Sequence, residues 1–324
     1  MKEPNYFEAI THAWRLVWSN KIIWILGVLA VFVGQFGLGD FIGKMWISAE
    51  QVLSVPGSYA MALLAFLPVT FAGHWVYFVW FLVIMILVLV FVAFLAVTAQ
   101  GTLISATGEY YHDKKFRKIS KHWQIAVKNF WGVLVINVLQ KFLLASLFLL
   151  TLYVWRYFYQ SGFAIAPYMI VLDIAVALFL GLLISAVSVY ALGYKVIENK
   201  NFGESLQYGF RLFKNHMLVS LELSILLMFL GLVLVSFISF AAIIAFLPSL
   251  LVWFLAAVSA SYTLVMLGLG FGVLFFLVII ILSAGMFNAF VISAWMYMFS
   301  RMHHEGVMSK LRHTAQRIIH IFKN

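Results

Sequence analysis

The chain has no cysteine, which excludes a disulfide framework, a thiolate metal site and a cysteine nucleophile, and leaves the redox compartment open. Charge is scarce as well. Lys and Arg number 21 and Asp and Glu 11, together 10% of 324 residues, against about a quarter in a soluble domain. A soluble globular class is excluded on that ground. The apolar runs are continuous rather than alternating, so a transmembrane barrel is not expected either. No Ser-His-Asp set and no pair of carboxylates with an evident shared cavity stands out. The Gly268–Gly272 stretch, GLGFG, lies inside an apolar run, without the following Lys-Ser/Thr that a phosphate loop requires. No cofactor and no catalytic residue is expected. Met1–Asn20 carries acidic residues and aromatics but no short apolar core with a small-residue cleavage site, so no cleavable signal is expected.

What remains is an apolar chain, 65% hydrophobic, with runs that reach the roughly 20 residues a helix needs to cross a bilayer core of about 30 Å. The expected spans are Ile22 to about Gly39, Trp75 to about Ser105, Phe130 to about Val154 and Pro167 to about Gly193. A last pair lies within Met217–Met302. Asp40–Gly73, with the apolar Met61–Phe71 broken by Pro68, reads as an outer connection. So does an aromatic turn at Trp155, Tyr157, Phe158 and Tyr159. Ala241–Ala260, around Pro248, reads as an outer apolar element, interfacial or re-entrant.

One pattern recurs without gaps: FEAITHAWRLVWSN (Phe7–Asn20), FRKISKHWQIAVKN (Phe116–Asn129) and FGESLQYGFRLFKN (Phe202–Asn215). Trp14 aligns with Trp123, Ile10 with Ile119 and Lys128 with Lys214, and each closing Asn precedes a long apolar run. In the first copy Phe7, Ile10, Trp14 and Val17 share a face, while Glu8, His12, Arg15 and Ser19 fall on others, as in a helix lying among head groups. The expected fold is therefore an all-α, polytopic integral membrane helical bundle. It has six transmembrane helices in three repeated hairpins, each preceded by a cytoplasmic amphipathic helix. The whole of 1–324 is one membrane domain, with repeats at 7–107, 116–193 and 202–300 and a basic tail at 301–324. Leu311–Asn324, which also ends in FKN, reads as a fourth copy of the motif.

Charge orients this scheme. Of the 21 Lys and Arg, all but Lys44, Lys141 and Arg156 fall in the N-terminal segment, the two basic connections or the tail. By the positive-inside rule these segments, and both termini, are expected in the cytoplasm at the cell membrane. The net charge of +10 is better explained by orientation and anionic lipid than by nucleic acid. The tail supports the same view. Leu311, Ala315, Ile318, Ile319 and Phe322 follow helical spacing, with Lys310, Arg312, Arg317 and Lys323 on the other faces and no interleaved aromatics for base stacking. Membrane lipids with anionic head groups on the cytoplasmic leaflet are the expected partners. A protein partner or a second copy is also open, and nucleic acid is not expected. The residues expected to face head groups are Lys114, Lys115, Arg117, Lys118, Lys121, Arg211, Lys214, Arg312 and Arg317.

The pattern F-x-E-S-L-x-x-G-F-R-L-F-K-N ahead of a helical hairpin resembles the juxtamembrane segments of the membrane domain associated with bacterial glycerophosphodiester phosphodiesterases, and of related uncharacterised six-helix families. The opening AWRLVWSNKIIWILGVLAVF is similar to the start of such prokaryotic membrane proteins. The resemblance implies the six-helix architecture. It does not imply the enzyme activity, because the catalytic chemistry of those proteins belongs to a separate soluble domain with paired acidic metal ligands, which this chain lacks.

Polar residues inside the spans are the remaining candidates. Lys141 and Asp173 could form a proton or ion relay or a polar head-group site. Alternatively they form a buried ion pair that fixes the third span against the fourth, with Asn137 and Gln140 adding interhelical hydrogen bonds. Glu222 could meet a substrate in a cavity, but reads better as an acid reaching the inner interface or a basic residue of the motif helices, and Asn288 as a hydrogen bond between helices rather than a ligand. Ala177, Gly181 and Ser185, and Gly268 with Gly272, are spaced for close helix packing. His303, His304 and Glu305 lack the i, i+4 spacing of a zinc helix, so no metal is expected. The function expected is that of a non-enzymatic multi-pass membrane protein that interacts with lipid, organises the membrane or supports a complex. The alternative is a small transporter or channel with a polar path through Lys141 and Asp173.

Overall fold

The computed structural model describes residues 6–31, 75–113, 118–161, 165–259 and 261–305. All regular structure among them is helical: α1 (Tyr6–Ser19), α2 (Ile22–Val31), α3 (Trp75–Asp113), α4 (Ile119–Lys128), α5 (Phe130–Ser161), α6 (Ala166–Val196), α7 (Phe202–Asn215), α8 (Met217–Ser259) and α9 (Tyr262–Glu305). The far end of the first span, the outer connection with Met61–Phe71 and Pro68, Lys44, and the tail with its fourth motif copy lie outside the described residues.

Five of these helices, α3, α5, α6, α8 and α9, are long and apolar enough to cross a membrane. The number becomes six if the bent pair α1 and α2 counts as one span. Their surfaces agree with lipid as the solvent. From Val76 to Phe91, α3 leaves nearly every large apolar side chain exposed, a surface that water would penalise heavily.

Each motif copy forms its own short helix, and each stops at or just before the closing Asn, after which an apolar helix begins: α1 before α2, α4 before α5 and α7 before α8. The Asn itself contributes to the stop in two copies. Asn20 Nδ2 donates to the Leu16 carbonyl and Asn129 Nδ2 to the Ile125 carbonyl, both at 3.2 Å and both four residues back. The Leu16 bond serves a carbonyl near the helix end, while the Ile125 carbonyl also accepts the Asn129 backbone N–H at 3.1 Å. Small side chains let the motif helices dock: Ala9 and Ala13 in α1, Ala126 in α4, and Ser205 and Gly209 in α7 are buried. At Gly209 a Cβ would meet the Ala191 nitrogen at 2.9 Å, so α7 lies on α6 almost backbone to backbone. The buried face of α7 (Ser205, Gly209, Leu212, Phe213) runs one residue later in the motif than that of α1 (Ala9, Ala13, Leu16, Val17). The ungapped alignment thus places the helices correctly but not the register of their packing.

Two boundaries differ from expectation. The aromatics Trp155–Tyr159 are no outer turn, because α5 runs on to Ser161. Aromatics mark an interface without breaking a helix. Ala241–Ala260 is no separate element either: α8 continues through Pro248 to Ser259, and the chain turns only before Tyr262. Proline removes one backbone bond, and helices in lipid tolerate this because they have no competing solvent to unwind into. Pro167, by contrast, starts α6 in its first turn, where its missing N–H costs nothing.

The chain forms two compact units that interleave along the sequence. One comprises residues 1–31, 102–122 and 216–324, the other 32–101 and 123–215. Two of the divisions fall within α3 and α4 and two at the ends of α2 and α7, none of them at the repeat limits. In the first unit α9 is the centre, packing against α1, α2 and α8. Its contact with α2 is a backbone crossing at Gly27 and Gly285, where a Cβ on Gly285 would lie 2.8 Å from the Val28 nitrogen. In the second unit α6 packs on α5 and α7. Ala177 is buried there among Leu147, Phe148, Trp155 and Ile174.

Candidate functional site

The intramembrane candidates separate into structural ties and an unformed pair. In the second unit Asn137 is 2% exposed and exchanges hydrogen bonds with Gln100 of α3. Asn137 Nδ2 donates to Gln100 Oε1 at 2.7 Å, and Gln100 Nε2 donates to Asn137 Oδ1 at 3.5 Å. A third bond runs from Asn137 to the Val133 carbonyl at 2.8 Å, and Gln140 is buried one turn further on. The expected pairing of Lys141 with Asp173 is not formed. Asp173 is half-buried beside Trp155, with its Oδ2 unsatisfied, whereas Lys141 is exposed. In an antiparallel hairpin the reason is length: Trp155 lies 14 residues beyond Lys141, or about 21 Å along the same helix at 1.5 Å per residue. The lysine stem cannot span that.

In the first unit Asn288 is fully buried on α9 and donates to the Gly27 carbonyl of α2 at 3.1 Å. The bond sits one turn from the Gly27–Gly285 crossing, where backbone is close enough to be reached. Glu222, near the start of α8, accepts from the Tyr6 hydroxyl of α1, so a phenol of the motif helix is among its partners.

A concentration of polar side chains lies at α1 in the same unit. Glu8, Thr11, His12 and Arg15 follow i, i+3, i+4, i+7 spacing along α1, which puts them on one face. They line a cavity of about 540 Å³ together with Tyr110 and Tyr111 from the end of α3 and Tyr297 from α9. The His12 ring sits between two phenols, 4.9 Å from Tyr110 and 4.7 Å from Tyr297. Tyr111 meets Tyr297 edge-on at 5.2 Å. Glu8 Oε2 accepts from the Tyr297 hydroxyl at 3.2 Å and from the Arg301 guanidinium. Arg15 is exposed at the wall. The sequence sets Glu8, His12 and Arg15 off the apolar face of the motif helix but gives no place to the tyrosines. Their helical positions give no signal that they converge on α1.

A second cluster was also missed. Ser105 and Glu109 stand one turn apart on α3, and His122 of α4 fits against both: Nδ1 is 3.0 Å from Ser105 Oγ and Nε2 is 3.2 Å from Glu109 Oε2. Lys121 adds an ion pair to Glu109 at 3.6 Å. The set has the residue types of a hydrolytic triad, but Ser105 is buried and does not line the cavity. Its chemistry as placed is a tie between α3 and the first turn of α4. At the end of α9, His303 stacks on Phe299 and His304 Nδ1 donates to the Ser300 carbonyl at 2.9 Å.

Of the residues expected to face head groups, Lys118, Lys121, Arg211 and Lys214 are exposed. Lys114, Lys115, Arg117, Arg312 and Arg317 lie outside the described residues.

Apolar helices of spanning length and apolar outer surfaces define a helical multi-pass membrane protein. No protein-family model, curated protein or solved structure matches the chain.

Proposed function

We propose that the protein is a non-enzymatic, lipid-interacting component of the cell membrane that organises lipid, or supports a complex, at the leaflet lined by its motif helices. In this proposal the three motif helices head three repeated hairpins, with both termini and the basic segments in the cytoplasm.

The observation that carries the reading is the elbow between α1 and α2. The two helices meet at 109°, and the Trp24 indole of α2 donates to the Val17 carbonyl of α1 at 2.8 Å, bracing the bend. A helix at right angles to its span lies in the interfacial plane. On α1 the buried residues Ala9, Ala13 and Leu16 dock onto the protein, while Phe7 at 73% exposed, Trp14 at 49% and Trp18 at 55% leave a second apolar surface open. Trp14 and Trp18 stack at 5.2 Å. Tryptophan is the side chain that prefers the boundary between acyl chains and head groups. The exposed bases of the other motif helices, Lys118, Lys121, Arg211 and Lys214, supply attraction to anionic lipid worth about 1 kcal/mol each near the surface.

Lipid copurified with the protein is expected to be enriched in phosphatidylglycerol relative to the bulk membrane. Changing Lys118, Lys121, Arg211 and Lys214 together to Gln is expected to lower that enrichment severalfold, as read by lipid mass spectrometry. Equal lipid profiles for the two proteins would sink the reading. Orientation has its own test, because the chain is cysteine-free. Cysteines placed at the exposed Ser120 and Gln207 are expected to react with an impermeant maleimide only after the cells are opened.

A further inference from the structure

We propose that the cavity framed by α1, the end of α3 and the end of α9 seats one phosphodiester group of a phospholipid, with Arg15 as its charge partner. The inference deepens the lipid-contact reading and rests on it for the depth of the site, while the site's chemistry comes from its own side chains.

Charge selects an anion. Glu8, the acid of the cavity wall, is engaged by Arg301 and Tyr297, so the Glu8–Arg301 pair sums to zero. Arg15 has neither a hydrogen-bond nor an ion-pair partner among the described residues. One positive charge is left over at a cavity of about 540 Å³, within the range of sites that hold small molecules. A guanidinium presents a planar fork that matches two oxygens of a phosphoryl group, and a phosphodiester carries the single negative charge that balances it.

The walls fit the rest of a head group. Tyr110, Tyr111 and Tyr297 surround His12 with ring faces and edges, and phenol hydroxyls can donate to phosphate oxygens. Depth points to a lipid as the source of the phosphodiester. Arg15 belongs to the same short helix that exposes Trp14 and Trp18, the residues that set the interfacial level. An anion at Arg15 therefore lies where lipid phosphates lie. The open apolar surface beside it, Phe7 with the two tryptophans, would meet the glycerol and upper acyl chain.

The test uses the full-length protein in a non-ionic detergent and three probes: dihexanoyl-phosphatidylglycerol, the chain-free glycerophosphoglycerol, and inorganic phosphate. Binding is read by calorimetry or native mass spectrometry. The short-chain lipid is expected to bind, glycerophosphoglycerol to bind more weakly, and phosphate least. Arg15→Gln is expected to weaken lipid binding at least tenfold, and Arg15→Lys, which keeps the charge but not the fork, to fall between. Thr11→Phe is the second variant, because Thr11 Oγ1 bonds only carbonyls of its own helix and the larger side chain fills the cavity. It is expected to abolish binding without altering elution or melting. If both folded variants bind the lipid like the unaltered protein, the pocket assignment is overturned. The lipid-contact reading then still stands or falls on the Lys and Arg neutralisation described above. Phosphate binding as tight as lipid binding would overturn the lipid source.

Discussion

Gly285→Leu is expected to abolish folded protein, and Gly27→Leu to do the same. At the crossing of α2 and α9 each glycine faces backbone of the other helix, and Gly285 also faces the short, branched side chain of Val28. A Cβ on Gly27 would collide with the Gly285 carbonyl oxygen and lie 2.8 Å from its carbon. A Cβ on Gly285 would collide with the Val28 side chain and lie 2.8 Å from the Val28 nitrogen and 3.0 Å from the Trp24 carbonyl. Backbone in two packed helices cannot yield locally, so the helices must separate along their length. Separation would also pull the Gly27 carbonyl away from Asn288 Nδ2, now 3.1 Å distant, and strand a fully buried amide. Overpacking of this kind costs about 1–3 kcal/mol for added methylenes alone, and a stranded buried donor about 1–3 kcal/mol more. Against a net stability of about 5–15 kcal/mol, alanine at either position should lower the melting temperature in detergent markedly, and leucine should leave only aggregate in size-exclusion chromatography. Gly270→Ala is the control: on the same helix, its Cβ would meet nothing within 4 Å, and its melting should match that of the unaltered protein. Equal melting of Gly285→Ala and Gly270→Ala would mean that the crossing is looser than described.

The motif helices were legible because their signal is local. An amphipathic stretch, a closing Asn and an abrupt apolar run specify a helix, a stop and a span without any tertiary information, and α1, α4 and α7 follow. Helix ends inside apolar sequence were not legible. At Pro248 the sequence suggests a break, but α8 continues, since lipid offers an opened backbone no partner. The polar contacts were half legible. Burial of Asn137 and Asn288 follows from their position in apolar runs, yet their partners, Gln100 and the Gly27 carbonyl, depend on helix register and crossing points that periodicity does not encode. The pairing of Lys141 with Asp173 failed for that reason: composition places both in adjacent spans, and only the hairpin's register separates them. The cavity shows the same limit, since four of its residues form a readable stripe on α1 while the three tyrosines arrive from helices distant in sequence.

Asn137 gives the other large expected effect, and it separates a packing role from a polar path. Asn137→Leu leaves the Gln100 amide, 0% exposed, without its partner. Gln100→Leu does the same to Asn137, which keeps only its bond to the Val133 carbonyl. Each single change is expected to cost about 1–3 kcal/mol, the penalty of an unsatisfied buried polar group. The double change removes both amides at once and strands neither, so it should lie close to the unaltered protein. A coupling energy of about 1–2 kcal/mol is then expected from the double-mutant cycle, measured by equilibrium unfolding in mixed micelles. That value would exceed the average interhelical hydrogen bond in membranes, about 0.6 kcal/mol, because the pair is reciprocal and fully enclosed. A polar path through the second unit makes the opposite demand: it needs the amides themselves, and an apolar pair would block it however stable the fold. A double variant that is stable and still enriches anionic lipid would assign Asn137 and Gln100 to holding α5 against α3. A double variant that folds equally well but loses lipid enrichment would show that these amides contribute to function beyond packing.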